Sequence, residues 1–269
     1  MLTANASPIS LTTDNSWRTH YRASFYLGVP FIGAQLAQLA INTTDVLMVG
    51  KLGATELAAI ILATQMYFTV YVFGNGFANA VVPMAAQAVG RGDKVSVRRS
   101  VRMGMWVAIA YWVLALPIFF NAERILIYLG QNPNVAALTG HYLAIAKFGL
   151  LPALLFYVLR GLVSAIGRAG IILYVTIIML VMNGILAYAL VFGHFGLPAM
   201  GMNGAAVVAV IVNAFSFIFI VAYVQTREET KKYELFVRFW RPDWHALFEV
   251  LRLGLPIGIT ILAEVTLFA

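Results

Sequence analysis

The sequence contains no cysteine and few charged residues, and both shortages narrow its class. Without cysteine the chain has no disulfide, no thiol nucleophile and no thiolate metal site. Only 11% of its 269 residues are charged and 61% are apolar, whereas an average soluble domain carries about 25% charged residues. This composition excludes soluble, disordered and disulfide-rich secreted proteins. Because about 20 apolar residues span a bilayer, we expect an all-α polytopic membrane protein with roughly six or seven spans.

Motifs of membrane-embedded enzymes are also missing from the sequence. There is no pair of aspartate clusters for magnesium diphosphate, no paired histidine motif and no Gly-x-Ser-x-Gly. The four histidines are scattered through tails and loops, at His20, His141, His194 and His245. We therefore expect a protein that is not an enzyme and that has no cofactor.

Apolar runs predict six complete spans and the start of a seventh. The predicted spans are Phe25–Val49, Leu57–Ala88, Met103–Phe120, Tyr142–Leu162, Ile171–Phe192, Gly204–Val224 and Leu253–Ala269. Gly74-Asn75-Gly76 and Pro83 are expected to interrupt the second span. The predicted organisation is an N-terminal segment (1–24), a six-helix lobe (25–224), a connector (225–252) and the first helix of a second lobe (253–269).

The distribution of lysine and arginine predicts the orientation. Fifteen of these residues fall in the N-terminal segment and in or around alternate gaps between spans, whereas the other gaps hold only Lys51 and Arg124. The positive-inside rule therefore places the N-terminus and the connector in the cytoplasm, with the chain in the inner (plasma) membrane among its lipids. Because the basic residues separate apolar runs and form no continuous face, no nucleic-acid partner is expected. Lys147 remains inside the fourth span, where it either snorkels to the outer interface or faces a cavity.

An internal repeat suggests that the chain is one half of a larger transporter. Leu27-Gly28-Val29-Pro30 opens the first span, and Leu253-Gly254-Leu255-Pro256 opens the seventh. The six intervening spans make the two copies parallel, and their spacing implies a parent chain of about 450 residues and twelve spans. Since the chain stops inside an apolar segment, we expect Ala269 to be a truncation and the second lobe to be missing.

Polar residues inside the predicted spans are the candidate functional residues, because buried charge is costly. Gln35, Gln38, Asn42 and Asp45 share one helical face by their spacing. Two interpretations stand: a cavity wall with one titratable carboxylate, or hydrogen bonding between helices with an aspartate near the outer interface. Glu264 lies well inside the seventh span, where a carboxylate suits binding of a proton or of Na⁺. Asn79 and Asn183 are weaker candidates, since buried amides usually join helices.

Several short motifs together resemble the multidrug and toxic compound extrusion (MATE) family, in its norfloxacin-efflux-like bacterial branch. They are Leu-Gly-x-Pro at 27–30, Asn42-Thr43-Thr44-Asp45 followed by Met48-x-Gly50-x-Leu52-Gly53, and the segments at 87–92, 159–168 and 256–268. The resemblance covers nearly the whole chain. It implies a 12-helix, two-lobe, V-shaped transporter, of which this chain is the N-terminal lobe plus part of the seventh helix.

The resemblance also implies a function and roles for individual residues. The implied function is multidrug efflux of toxic organic cations and other cationic amphiphiles, by antiport with Na⁺ or H⁺ and alternating access. Asp45 matches the acidic residue of the family's first helix, Asn183 an amide of the N-lobe cation site, and Glu264 the seventh-helix glutamate. Ala187 and Val208 stand where other members carry an acid or amide and a threonine. This difference favours proton coupling through Asp45, or cation binding at Glu264.

Two other transport functions remain open from the sequence. A lipid-linked oligosaccharide flippase has a related architecture but usually needs a strongly basic cavity, and here only Lys147 and Arg160 lie within spans. A half-size subunit that dimerises is compatible with the parallel repeat. The start of a seventh span argues against it.

Overall fold

The computed structural model of the chain describes residues 17–237 and 239–268. Over these residues the fold is all-α. The helices are α1 (Trp17–Gly50), α2 (Ala54–Gly90), α3 (Lys94–Phe120), α4 (Ala122–Tyr128), α5 (Pro133–Ala165), α6 (Ala169–Phe192), α7 (Met202–Thr226), α8 (Glu228–Lys231) and α9 (Trp244–Phe268). The long helices begin before the predicted spans, because hydropathy detects only their apolar middle parts. Part of the predicted connector is therefore the first turns of α9.

Six of the described helices, α2, α3, α5, α6, α7 and α9, are long and apolar enough to cross a membrane. Helix α1 is not among them, although the sequence predicts it as the first span. It has 34 residues, which is ample length to cross a bilayer. The chain is thus a polytopic helical membrane protein.

The predicted interruption of the second span is wrong, because α2 runs unbroken from Ala54 to Gly90. A break inside the hydrocarbon region would leave backbone groups without hydrogen bonds, which the bilayer penalises strongly. The glycines at 74 and 76 serve close packing instead. A Cβ on Gly76 would overlap the backbone of Gly258 in α9, and one on Gly254 would meet Phe77. These glycines allow α9 to cross α2 at very short range.

Helix α2 lies at the centre of the bundle and packs against α3, α5 and α9. Helix α5 also packs against α7, and α1 packs mainly against α6. The core is built from alanine, valine and leucine on these faces, including Leu150, Leu154 and Leu159 of α5, all fully buried. Lipid tails are as apolar as these side chains, so the hydrophobic effect does not drive the helices together in a membrane. Small and branched side chains allow close approach, and the resulting van der Waals contacts hold the helices together.

The start of α3 is fixed by a side chain that caps unpaired backbone groups. At the start of α3, Asp93 accepts hydrogen bonds from the amides of Val95 and Ser96 at 3.0 and 3.1 Å. The Ser96 hydroxyl also donates to Asp93 at 2.6 Å and, as the main cause, lowers the pKa of that carboxyl. Gly92 provides the positive φ of 70° that the turn before this cap requires. The turn fixes the angle between α2 and α3.

The connector packs against the starts of α3 and α6. Salt bridges join Arg98 to Glu234 at 3.2 Å and Arg99 to Asp243 at 3.0 Å. Arg102 is buried and donates to the carbonyl of Arg241 at 2.5 Å. The connector and the basic turn after α2 therefore lie at the same end of the bundle.

Candidate functional site

Asp45 and Asn183 form a buried hydrogen-bonded pair between α1 and α6. The amide Nδ2 of Asn183 donates to Oδ1 of Asp45 at 3.0 Å. The two residues are only 7% and 1% exposed. Because an unpaired buried carboxylate is costly, the amide partner is what makes this position tolerable for an aspartate. The structure thus brings together two residues that lie far apart in the sequence.

Two tyrosines extend this pair into a cluster to which four helices contribute. Tyr142 of α5 is close enough to Asp45 and to Tyr67 of α2 for electrostatic interaction. The Tyr67 hydroxyl and the Oδ1 atom of Asn183 are buried and have no hydrogen-bond partner among the described residues. Since buried polar atoms normally find partners, such atoms mark a place that a water or an ion would complete. We refer to Asp45, Tyr67, Tyr142 and Asn183 as the carboxylate cluster.

The carboxylate cluster has the chemistry to exchange a small cation. An ionised carboxylate, an amide oxygen and phenol oxygens are the hard ligands that suit Na⁺ and similar cations. A protonated carboxyl would instead offer an additional hydrogen-bond donor to the same oxygens. Ala187 and Val208 are completely buried and apolar, so they add no oxygen ligand. The arrangement is therefore compatible with either a bound cation or a bound proton.

A separate cavity of about 540 Å³ lies between α1, α2, α5 and α9. Its lining consists of Gln35, Asn75, Asn79, Val82, Pro83, Tyr157, Arg160, Gly161, Ser164 and Ile257. Arg160 is 8% exposed, and its guanidinium carbon lies 4.8 Å from the centre of the Tyr157 ring. Residues 142 and 160 of α5 are about 27 Å apart at 1.5 Å per residue. The cavity and the carboxylate cluster therefore lie at different depths of the bundle.

The predicted cavity residues divide between two environments. Gln35 and Asn79 line the cavity, whereas Gln38 is half-buried elsewhere on α1 and Asn42 is exposed. Thr43 and Thr44, next to Asp45, donate their hydroxyls to their own helix at the carbonyls of Leu39 and Ala40. The polar row on α1 thus winds from the cavity at Gln35 to the carboxylate cluster at Asp45.

Glu264 lies on an exposed side of α9. Among the described residues, no hydrogen bond or salt bridge involves its carboxylate. The structure therefore does not bring it to the carboxylate cluster, and the cation role predicted for it stays a prediction. Lys147 is 5% exposed, and its Nζ lies 3.5 Å from the centre of the Phe120 ring at the end of α3. This aromatic contact compensates part of the cost of burying its charge.

Sequence reasoning missed Tyr67, Tyr142 and the pairing of Asp45 with Asn183 in space. Tyrosine is common in membrane helices, so its presence carries no signal by itself. The sequence shows Asn75 and Arg160 as polar residues within predicted spans. Because they lie on different helices, their spacing in the sequence does not predict that they line the same cavity. Only the packing of α2 against α5 places both on one cavity wall.

Comparison with known proteins assigns the family. A family model described as MatE matches residues 30–189. The chain is 84% identical over 256 residues to a probable multidrug resistance protein NorM of Agrobacterium fabrum, covering 95% of this chain and 55% of that protein. A protein of the same name in Rhizobium meliloti is 62% identical over 268 residues, covering 100% of this chain and 57% of the relative. The chain thus spans about half the length of the curated relatives it matches.

Solved structures show the same fold. The bent form of the Vibrio cholerae MATE transporter VcmN matches with a TM-score of 0.81 at 17% identity, covering 92% of this chain and 55% of that one. A MOP superfamily transporter from Pyrococcus furiosus matches with a TM-score of 0.81 at 18% identity, covering 92% and 54%. The described helices therefore correspond to the N-terminal lobe of a two-lobe, 12-helix transporter with the start of its seventh helix. On this evidence the chain belongs to the MatE family.

Proposed function

We propose that the chain supplies the N-terminal lobe of an exporter that expels amphiphilic organic compounds, including cationic ones, in exchange for Na⁺ or H⁺. The observation that carries the proposal is the buried pair of Asp45 and Asn183, in which Oδ1 of Asn183 has no hydrogen-bond partner among the described residues. A site that binds a cation in only one conformation shifts the population of that conformation. By linkage, the cation then changes the affinity for the exported compound.

A row of aromatic rings supports coupling between the carboxylate cluster and the cavity. Tyr67 stacks on Tyr71 with ring centres 6.4 Å apart, and Tyr71 meets Tyr157 edge-on at 5.7 Å. Tyr157 in turn lies under the guanidinium of Arg160. A change of charge at Asp45 that shifts Tyr67 therefore has a continuous packed path to the cavity wall. Such contact is a physical route for coupling.

The proposed orientation places the N-terminus in the cytoplasm of the plasma membrane. It is supported by the gathering of Arg98, Arg99, Arg102 and Arg168 with the connector at one end of the bundle. Basic residues concentrate on the cytoplasmic side of membrane proteins. On this orientation the carboxylate cluster lies in the outer half of the bundle and the cavity in the inner half.

The direct test is ethidium efflux from cells that make the whole protein. Asp45→Asn removes the charge but retains the shape, and we expect it to reduce efflux to the level of cells without the transporter. Asp93→Asn is the matched control, because it makes the same substitution at an exposed aspartate and asparagine also caps helices well. Full efflux by Asp45→Asn at equal expression would contradict the proposed role.

The role proposed for Glu264 is tested separately. If Glu264 holds a coupling cation together with the second lobe, Glu264→Gln lowers efflux as well. Wild-type efflux by Glu264→Gln, with loss of efflux by Asp45→Asn, would assign coupling to the carboxylate cluster alone.

A further inference from the structure

Three large aromatic side chains at the connector end of the bundle are exposed. Trp240 is 71% exposed, Trp244 67% and Phe248 68%. Trp244 and Phe248 are one helical turn apart in α9, and Arg252 follows at the same spacing, so these three residues lie on one face of the helix. Arg241 stands next to Trp240, and both arginines are exposed. We refer to Trp240, Arg241, Trp244, Phe248 and Arg252 as the connector surface.

The backbone beneath the connector surface is held by α3. Trp106 of α3 donates its indole N–H to the carbonyl of Phe239 at 2.9 Å and stacks on the Phe239 ring, with ring centres 6.0 Å apart. The buried Arg102 of α3 donates to the carbonyl of Arg241. Because the residues on both sides of Trp240 are fixed to α3 in this way, the exposed indole of Trp240 belongs to a preformed surface.

The ion pairs of the connector leave it positively charged. Residues 225–252 include six lysines and arginines and five acidic residues. Three of the acidic residues form salt bridges with arginines that lie outside the connector, namely Glu229 with Arg168, Glu234 with Arg98 and Asp243 with Arg99. This leaves Glu228 and Glu249 against the basic residues of the connector. Among the described residues, no salt bridge joins Arg241 or Arg252 to a carboxylate.

Exposed aromatic rings beside arginines match the headgroup region of a membrane. Tryptophan rings favour the boundary between headgroups and acyl chains, and basic side chains at that boundary attract anionic lipids. Arg252 directly precedes the predicted seventh span, which places the connector surface at the edge of the hydrocarbon region. A guanidinium also binds two phosphate oxygens at once. Anionic phospholipids therefore match both the charge and the apolar area of this surface.

We propose that the connector surface is a docking site for anionic phospholipids. Arg241 and Arg252, at its two ends, each attract a phosphate headgroup, and the aromatic rings between them pack against the upper parts of the acyl chains. Lipid bound there contacts the segment that joins the two lobes. The inference goes beyond the proposed function, since it involves neither the coupling ion nor the exported compound.

Quenching of tryptophan fluorescence by brominated lipids tests this site. The purified whole protein in detergent is titrated with phosphatidylglycerol or with phosphatidylcholine, each brominated on an acyl chain near the headgroup. Bromine quenches only the tryptophans that it approaches closely, and Trp240 and Trp244 are two of the five in this chain. We expect phosphatidylglycerol to quench at lower concentrations than phosphatidylcholine, because only its headgroup carries a net negative charge.

Removing the two arginines tests the charge of the connector surface. In the double variant Arg241→Gln and Arg252→Gln, we expect the phosphatidylglycerol concentration for half-maximal quenching to rise by about tenfold to thirtyfold, as the loss of two basic residues at an anionic surface predicts. The phosphatidylcholine titration should stay as in the wild type, which also shows that the variant is folded. The double variant Lys51→Gln and Arg124→Gln is the matched control. It removes two exposed basic residues at the other end of the bundle, so both lipids should quench it as they quench the wild type.

Replacing the two tryptophans assigns the signal to the connector surface. The double variant Trp240→Phe and Trp244→Phe keeps an aromatic ring at both positions but removes both indoles. We expect it to lose the quenching that phosphatidylglycerol produces in excess of phosphatidylcholine, while phosphatidylglycerol still raises its thermal midpoint. Excess quenching that persists in this variant would come from other tryptophans and would overturn the proposed site.

Three other outcomes would also overturn the inference. Equal quenching of the wild type by both lipids, or an unchanged titration of the arginine variant, would mean that no headgroup is recognised. Loss of the lipid preference in inorganic phosphate at constant ionic strength would assign the arginines to soluble anions. Tryptophans that neither lipid quenches differently in the wild type and in Trp240→Phe with Trp244→Phe would mean that the second lobe covers this face. None of these results affects the ethidium experiments, and a loss of efflux would in turn leave the lipid titrations standing.

Discussion

At the scale of single residues, the buried oxygens without partners in the carboxylate cluster are the most informative feature of the described residues. A core that maximised stability would not leave the Tyr67 hydroxyl and Asn183 Oδ1 without partners. Proteins tolerate such atoms mainly where function requires them, because each costs about 1–3 kcal/mol. If the carboxylate cluster binds the coupling ion, as proposed, the stability of the protein is expected to rise with the concentration of that ion.

Removing the Tyr67 hydroxyl distinguishes a ligand from a packing residue. Tyr67→Phe deletes a buried group that lacks a partner, so we expect the thermal midpoint of the purified whole protein to stay the same or to rise. If the hydroxyl contributes to cation or proton binding, the apparent affinity for the coupling ion falls several-fold in the same variant. Tyr128→Phe is the control, because Tyr128 is 92% exposed. An unchanged ion dependence would remove Tyr67 from the site.

Asp45 was predictable from the sequence because a carboxylate inside a predicted span is rare and expensive. The role of Asn183 came only from the family resemblance, since a buried amide by itself is ordinary. Tyr67 and Tyr142 were not predictable. Tyr67 and Tyr142 join the carboxylate cluster only because of the way α2 and α5 are aligned against α1. No residue spacing in a single sequence indicates that alignment.

At the scale of helices, the crossing of α2 and α9 depends on glycine. Gly76→Ala would place a Cβ into the backbone of Gly258, and we expect this overpacking to cost about 1–3 kcal/mol and to lower the thermal midpoint. Gly90→Ala in the same helix is the control, because a Cβ there meets no atom within 4 Å. Equal midpoints for the two variants would mean that α9 does not rest on α2 in the whole protein.

The connector is held by one buried arginine and by exposed ion pairs. The Arg168 guanidinium, through its hydrogen bond to Glu229, holds the pKa of that carboxyl below its usual range, so their pair stays ionised at neutral pH. Exposed pairs of this kind contribute little stability. Arg102 differs because it is buried and donates to the connector backbone at Arg241. The connector should therefore depend on Arg102 more than on any exposed pair.

Limited trypsin digestion tests this dependence. Arg102→Met should release the connector and increase its cleavage by roughly tenfold, because the open population rises when a charged hydrogen bond is lost. Arg99→Met should change the rate little, since the Arg99 side chain is 57% exposed in its pair with Asp243. Equal cleavage of both variants would show that the connector is held by other contacts.

The sequence predicted the membrane helices but not their ends or their continuity. Apolar length located α2, α3, α5, α6 and α7, while the short helices α4 and α8 carry no periodic signal long enough to detect. The interruption expected at Gly74-Asn75-Gly76 failed because glycine has two uses in a membrane helix. It permits bending, and it permits close contact with a neighbour, and only the position of α9 decides between them.

At the scale of the whole molecule, the chain is one lobe of a two-lobe transporter with a helix of the other lobe attached. The Leu-Gly-x-Pro motif, which is repeated within α1 and α9 at the starts of the predicted first and seventh spans, predicted this organisation, and relatives about twice as long agree with it. Helix α9 already packs on α2 and α3. The contact between this lobe and the helix that begins the next one therefore lies on α2 and α3.

The most direct test of the account is transport by the purified whole protein in liposomes. Ethidium movement is followed while an opposing Na⁺ gradient, an opposing H⁺ gradient or no gradient is imposed. We expect one of the two gradients to drive ethidium transport, and Asp45→Asn to abolish that response while Asp93→Asn preserves it. Transport that ignores both gradients, or that responds equally in Asp45→Asn and the wild type, would contradict cation coupling through the carboxylate cluster.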